Sequence, residues 1–183
     1  MPDKKKPILT EPSLIGKKLY LRPATAEDIA NTYHWLVLSD PNYISFEPTV
    51  FSTAAEAAEA FKKQERSTNQ QQFTVVRQKD NTPVGLAHFF GLNTHNHSAR
   101  IDLLIDPDER KKGYGLEAIN ILYGYLFNIR GLNKVYTFTA EYNKEGIKLL
   151  KKAGFKKDGT LRHQYLYKRE FRDGFVYSRL ASD

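Results

Sequence analysis

The sequence predicts a single α/β domain with a mixed, mostly antiparallel central sheet of about seven strands flanked by about four helices. Short apolar runs of strand length alternate along the chain with segments whose apolar residues recur at helical spacing. Several strand-like runs also follow one another across short polar turns, as in hairpins. At 183 residues the chain is long enough for one domain with a substantial core. We place this domain at residues 16–183 and expect residues 1–15, which contain three consecutive lysines, to form a flexible tail.

The elements before residue 100 follow from capping patterns and turn residues. Thr25 with Asp28 has the spacing of a capping box, and Thr53 with Glu56 repeats it, so each pair predicts a helix start. In chain order we predict a strand at 19–22, helices at 25–38 and 53–66, and two hairpin strands at 73–78 and 83–92 around a turn at 79–82.

The most informative segment runs from Ile101 to Ala118. Its apolar start, 101–105, predicts a strand that ends at Asp106-Pro107, because proline lacks an amide hydrogen and restrains the residue before it. The basic, glycine-containing loop 110–115 follows, and a helical pattern then begins. This order favours phosphate binding, since free amides at a helix start and the helix dipole attract an anion. We interpret the loop as a pyrophosphate site.

The C-terminal third continues the alternation of helices and strands. Gly131 suits the C-cap of the helix that begins after the loop, and Gly154 suits the end of a second, shorter helix. The predicted ranges are a strand at 135–140, a helix at 145–153, and strands at 155–161, 165–167 and 175–180, the last two as a hairpin.

Composition excludes several classes of site. The chain has no cysteine, which excludes disulfides, thiolate metal sites and cysteine nucleophiles. No apolar run is long enough to span a membrane or to form a signal peptide, so we expect a cytoplasmic protein without a membrane partner. The net charge of +7 suits an anionic partner, either nucleic acid or a phosphorylated cofactor. Nucleic acid is the less favoured of the two, because no nucleic-acid-binding motif accompanies the aromatic and basic stretch at 162–172.

Three motifs after residue 109 occur in a fixed order: Arg110-Lys111-Lys112-Gly113-Tyr114-Gly115, then Asn143 followed by Gly154-Phe155, and then Gly159-Thr160-Leu161-Arg162. The first resembles the acetyl-CoA loop, Arg/Gln-x-x-Gly-x-Gly/Ala, of the GNAT family of N-acetyltransferases. The second is similar to that family's Asn and Gly-Phe landmarks around a short helix. The third resembles a stretch found in the branch that contains ribosomal-protein alanine acetyltransferases and spermidine acetyltransferases. The resemblance extends over about residues 19–180.

The resemblance implies acetyl transfer from acetyl-CoA, as cosubstrate, to an amine by direct attack in a ternary complex. It places the pyrophosphate on loop amides and the pantetheine arm along the open edge of the central strand. Lys148 is a candidate for the ribose phosphate, with a solvent-facing helix position as the alternative. The cofactor-binding residues implied are Leu103, Leu104, Ile105, Arg110, Lys111, Lys112, Gly113, Tyr114, Gly115, Asn143 and Lys148.

Two positions depart from the family pattern. Many members carry a Glu base where Arg100 aligns, whereas this chain has Asp102 two residues further on and therefore on the same face of the strand. Asp102 is our candidate base, directly or through water, and a structural ion pair with Arg100 is the alternative. Leu150 aligns with the Tyr that donates a proton to the departing thiolate, and Tyr142 is the nearby candidate for that role.

Candidate acceptor residues are Glu47 and Arg100. Glu47 lies in a segment similar to the acidic loop that holds polyamine in spermidine acetyltransferases, with a solvent-facing position as the alternative. His95 and His97 would face one side of a polar turn, but no third ligand accompanies them, so we expect no metal. They are predicted to be turn residues or to line the acceptor pocket.

Three functions fit these residues. The leading one is acetyl-CoA-dependent N-acetylation of a primary amine of a small molecule, such as a polyamine or an amino sugar. The second is acetylation of a protein N-terminus of the ribosomal-protein type, which suits the basic charge. The third is a catalytically degenerate acetyl-CoA-binding module, which the missing Glu and Tyr would permit. A homodimer through the C-terminal strands is compatible with all three.

Overall fold

Seven strands form one mixed sheet in this computed structural model, which describes residues 14–38, 53–64 and 68–183. Every neighbouring pair is antiparallel except β4 and β5, which are parallel. The predicted fold class is therefore confirmed. The strand order is β1-β2-β3-β4-β5-β7-β6, with β1 (Leu19–Pro23), β2 (Gln71–Arg77), β3 (Thr82–Asn93), β4 (Ser98–Ile105), β5 (Lys134–Ala140), β6 (Lys156–Tyr167) and β7 (Glu170–Leu180).

The described residues form four α-helices, as predicted: α1 (Ala26–Leu38), α2 (Ala54–Gln64), α3 (Tyr114–Gly124) and α4 (Lys144–Lys152). At the start of α1, Asp28 N donates to Thr25 Oγ1 over 3.2 Å and Thr25 N donates to Asp28 Oδ2 over 2.8 Å, so the predicted capping box is present. The helix after the loop runs to Gly124 and continues as a π-type turn, Tyr125–Ile129. No helix in the described part of the chain is long and apolar enough to cross a membrane.

Helices cover both faces of the sheet and produce two hydrophobic cores. The larger core lies between the sheet and the α3–α4 side, and it buries Ile101 of β4. In the smaller core, on the opposite face, Leu104 packs with Trp35 of α1. Because side chains alternate between faces along a strand, Arg100 and Asp102 lie on the same side of β4 as Leu104.

The C-terminal hairpin differs from the prediction. The two predicted strands at 155–161 and 165–167 are one strand, β6, and β7 begins at Glu170 rather than near residue 175. Lys168 and Arg169 connect them with φ angles of 51° and 66°. Both residues of such a two-residue turn have positive φ, a conformation for which Asn and Gly are the usual sequence signals. The sequence has Lys168 and Arg169 in these positions instead of Asn and Gly, so the turn was not predicted.

The parallel strands β4 and β5 pair only over a short stretch and then diverge. Their register joins Ser98–Arg100 to Lys134–Tyr136, and both strands lie entirely within the described residues. Towards Ile105 the edge of β4 therefore opens, beside the start of α3. The open edge of the central strand that the resemblance implies is therefore present, and a cavity lies beside it.

Two predicted regions fall outside the described residues. Glu47 belongs to the segment 39–52, and residues 1–13 form most of the predicted tail. Leu14, the first described residue, is buried in the larger core.

Candidate active site

A cavity of about 790 Å³ lies where β4 and β5 diverge. One wall is the open edge of β4, and the others come from the loop before α3 and from α4. Such a volume is typical of a site for a cofactor-sized ligand. Of the predicted cofactor residues, Leu103, Leu104, Ile105, Arg110, Lys111, Gly113, Tyr114, Gly115, Asn143 and Lys148 line this cavity, together with Asp102 and Thr137.

The start of α3 fits an anionic group. Gly113 is the N-cap, with φ 87° and ψ 0°, and a Cβ added there would have no heavy atom within 4 Å. The left-handed backbone favours glycine, while the space beside it is open. The first amides of a helix have no partner within the helix, and Tyr114 and Gly115 are at the cavity wall. Close packing adds a second constraint, because a Cβ at Gly115 would lie 3.1 Å from Leu149 Cδ2 of α4.

The three loop cations have different surroundings. Arg110 lines the cavity while its Nε donates to Ile105 O over 3.2 Å, at the end of the open strand edge. Lys111 also lines the cavity, and its φ is 62°. The Nζ of Lys112 instead lies 2.9 Å from Glu109 Oε2. Lys112, unlike the other two cations, is not among the residues that line the cavity.

Arg77 of β2 contacts residues on both sides of this loop, Glu109 and Tyr114, and the sequence analysis did not anticipate these contacts. Its NH1 donates to Glu109 Oε2 over 3.0 Å, and its NH2 donates to Asp80 Oδ2 over 2.8 Å. Hydrogen bonds to Asp80, Tyr114 and Glu109 raise the pKa of Arg77 above its usual value. Glu109 thus bridges Arg77 and Lys112, next to the N-terminus of α3.

The first turn of α4 forms the opposite wall. Asn143 is its N-cap, and Asn143 Oδ1 accepts a hydrogen bond from Gly146 N over 2.9 Å. The family landmark therefore has a structural role here in addition to its place at the cavity wall. Lys148 Nζ lies 3.1 Å from Glu145 Oε1. Leu150, which aligns with the usual tyrosine, is buried in the larger core and carries no dissociable proton.

Asp102 and Arg100 form an ion pair on the face of β4 opposite the larger core. Arg100 NH2 lies 3.3 Å from Asp102 Oδ2, and Thr137 Oγ1 lies 3.5 Å from Asp102 Oδ1. Burial raises the pKa of Asp102 to about 6, although Arg100 acts in the opposite direction. The side chain of Asp102 is still 43% exposed, so a ligand has access to it.

Aromatic rings surround the Arg100 guanidinium. Its Cζ lies 4.5 Å from the ring centroid of Phe90 and 5.0 Å from that of Phe138. His88 is the cross-strand neighbour of Asp102 on β3, and burial together with the charge of Arg100 lowers its pKa to about 4. His88 is consequently neutral at pH 7.

Two tyrosines lie near this ion pair, and neither lines the cavity. Tyr142, our candidate proton donor, stacks on Tyr167 with ring centroids 4.1 Å apart. Tyr165 is the only buried residue of β6, a strand described throughout, and burial raises its pKa to about 12. The charges of Arg100 and Asp102 also act on Tyr165. The sequence analysis did not include Tyr165 among the site residues, although Tyr165 belongs to the aromatic and basic stretch 162–172.

The turn histidines, His95 and His97, lie between β3 and β4. His97 Nδ1 lies 3.1 Å from Gly131 O, which ties the turn before β4 to the end of the helical segment 114–129. Among the described residues, no group of three or more His, Cys, Asp or Glu side chains is placed to hold a metal ion.

Comparisons with known proteins agree with this geometry. A family model described as an acetyltransferase (GNAT) domain matches residues 18–156. The chain is 26% identical to the spermidine N(1)-acetyltransferase of Vibrio cholerae over 118 residues, which cover 64% of this chain and 68% of the relative. It is 23% identical to that of Escherichia coli K12 over 153 residues, 84% of this chain and 81% of the relative.

A solved structure has the same fold. The crystal structure of spermidine N-acetyltransferase from Vibrio cholerae in complex with CoA and spermine superimposes with a TM-score of 0.78 at 23% identity, covering 90% of this chain and 96% of that one.

We predict that Gly113→Glu weakens acetyl-CoA binding at least about tenfold, because it adds a side chain and a negative charge beside the proposed pyrophosphate site. Calorimetry measures the affinity, and circular dichroism checks the fold. Gly131→Glu is the matched control, because Gly131 also has positive φ (65°) and open space around it. Equal affinities of the two variants would contradict the assignment of the loop.

We predict that Arg77→Gln raises the KM for acetyl-CoA roughly three- to tenfold with little change in kcat, since Glu109 loses a partner that orients the loop. Steady-state kinetics at varied acetyl-CoA test this. Asp80→Asn removes the exposed partner of Arg77 without altering Glu109, so its KM should stay near the wild-type value. A reduced kcat at unchanged KM in Arg77→Gln would argue against a role in loop positioning.

Proposed function

The chain belongs to the GNAT acetyltransferase family, and we propose that it transfers the acetyl group of acetyl-CoA to a primary amine of a small molecule, such as a polyamine or an amino sugar. The observation that carries this proposal is the position of Asp102, an ionisable carboxylate at the cavity where β4 and β5 diverge. A group with a pKa of about 6 is ionised at neutral pH and still basic enough to accept a proton.

Acetyl-CoA supplies the acyl group as an activated thioester. We assign its pyrophosphate to the amides from Lys111 to Gly115 and its pantetheine arm to the open edge of β4 at Leu103–Ile105. The left-handed N-cap at Gly113 and the cavity volume of about 790 Å³ support this assignment. Arg110 and Lys148 are proposed to add positive charge at the two walls.

The proposed chemistry uses residues of both strands and of the turn before α4. Asp102 accepts a proton from the acceptor ammonium, which leaves a nitrogen lone pair to attack the thioester carbonyl carbon. A backbone amide at the open edge of β4 stabilises the oxyanion. The carbon–sulfur bond then breaks, and Tyr142 donates a proton to the departing thiolate. Tyr165 is a second hydroxyl that could serve this step. Holding the two reactants together is expected to supply much of the rate enhancement.

A small-molecule acceptor is favoured over a protein N-terminus by one observation. The similar enzymes of Vibrio cholerae and Escherichia coli are named as acetyltransferases of spermidine, a small amine.

Acetyl transfer to a panel of amines tests the proposal. The panel contains polyamines, amino sugars, amino acids and peptides with free N-termini, and release of the CoA thiol is measured with product detection by mass spectrometry. Acetylation of one small-amine class is the expected result. Preference for peptides would assign the second function instead, and tight acetyl-CoA binding without transfer to any amine would indicate a binding module.

We predict that Asp102→Asn lowers kcat about 10²- to 10⁴-fold and changes the pH profile. In the wild type, kcat/KM for the acceptor should rise as Asp102 ionises and level off above about pH 6, because only the carboxylate accepts a proton. The variant needs an acceptor that is already neutral, so its rate should keep rising towards the pKa of the amine.

The control for this experiment is Asp158→Asn. Asp158 is paired with Lys134, 2.6 Å away, and is not at the cavity. The plateau in the pH profile of kcat/KM and the value of kcat should therefore both match those of the wild type. A plateau that persists in Asp102→Asn would exclude Asp102 as the base.

A further inference from the structure

Arg100 places a permanent positive charge beside the proposed base. A guanidinium does not lose its proton in proteins, and Arg100 NH2 lies 3.3 Å from Asp102 Oδ2. Any ammonium that approaches Asp102 closely enough to lose a proton therefore also approaches Arg100. Such an ammonium is attracted by one charge of the pair and repelled by the other.

The position of Arg100 is held by neighbours on two strands, β3 and β5. Its Cζ lies over Phe90 of β3 and Phe138 of β5, and in the sheet register Arg100 is directly opposite Phe90 on one side and Tyr136 on the other. The two rings flank the guanidinium, so its charge has a defined location instead of moving into solvent. Its side chain is 23% exposed, so contact with a ligand is sterically open.

The other ionisable groups near this pair differ from Arg100 in charge or in pairing. His88, opposite Asp102, is neutral at pH 7. Arg172 is shared between Glu141, 3.9 Å away, and Glu170. Arg100 is therefore the permanent cation that is ion-paired with the proposed base.

We infer that the acceptor carries a carboxylate close to its reactive amine, and that Arg100 binds this carboxylate while Asp102 receives the proton from the amine. This inference rests on the proposed N-acetyltransferase function and specifies its substrate class. A zwitterion matches the adjacent opposite charges of Asp102 and Arg100, because its carboxylate offsets the repulsion that Arg100 exerts on the ammonium. An amino acid, or a larger molecule with an amino-acid group, has this pattern of charges. Arg100 is then a specificity residue.

Amine pairs that differ only by a carboxylate test this inference. Suitable pairs are lysine and cadaverine, ornithine and putrescine, and phenylalanine and phenethylamine, with spermidine as an additional polycation. We expect the wild type to favour the carboxylate-bearing member by at least about tenfold in kcat/KM. Arg100→Gln should reduce this ratio towards one, mainly by raising the KM for the acceptor. Arg100→Lys, which keeps the charge but not the planar group, should retain part of the preference.

Matched controls separate specificity from folding. Arg162→Gln makes the same change at an exposed arginine of β6 and should leave the ratio unaltered. The affinity of Arg100→Gln for acetyl-CoA, measured by calorimetry, should equal that of the wild type and reports that the variant is folded. If Arg100→Gln does not fold, Arg100→Lys provides the test. A lower ratio of kcat/KM between the paired amines than in the wild type supports the inference, and an unchanged ratio contradicts it.

The outcomes distinguish this inference from the function on which it rests. A wild-type preference for spermidine or for the decarboxylated amines would overturn the carboxylate inference and leave N-acetylation of small amines intact. The same holds for an unchanged ratio in a folded Arg100 variant. Absence of transfer to every amine would overturn both proposals.

Discussion

The divergence of β4 and β5 is the constraint on which the rest of the site depends. Parallel strands usually continue their hydrogen-bond ladder, because a strand that leaves it exposes backbone groups that need other partners. Here the ladder stops at Arg100 and Tyr136. The antiparallel partners on the outer sides, β3 and β7, hold the two strands where they separate. The same opening leads to the first turn of α3, so one feature of the sheet brings an anion site and an ionisable carboxylate to a single cavity.

The side of the sheet that carries Asp102 contains groups that burial disfavours in their charged forms. Burial raises the pKa of Asp102 and lowers that of His88, and both shifts favour the neutral species. Arg100 cannot respond in this way and is stabilised by the ring faces of Phe90 and Phe138 together with Asp102. An ionisable carboxylate beside a permanent cation costs folding free energy that apolar residues in the same place would not. Such an arrangement is typical of a reacting site, where a pKa near neutral is useful.

The parts of the site differ in how far the sequence predicts them. The loop at 110–115 was predictable because the strand end, the left-handed glycine and the helix start all belong to one short segment. Arg77 was not, since it reaches Glu109 from a position 32 residues earlier. The sequence also did not indicate that Tyr165 lies near Arg100 and Asp102, because that proximity depends on how β6 pairs with β7 and β7 with β5. The turn at Lys168 and Arg169 was not predicted because both residues have positive φ without being Asn or Gly.

By itself, the sequence determined the α/β fold class, the family, the capping of α1 and the placement of Arg100 and Asp102 on one face of a strand. Capping and side-chain alternation depend on residues close together in the chain, so a linear pattern contains them. Only the tertiary structure decided that Arg110 and Lys111 line the cavity while Lys112 pairs with Glu109, and that two rings flank the Arg100 guanidinium. The energies of those contacts depend on distance and burial, and both are set by how separate strands and helices pack.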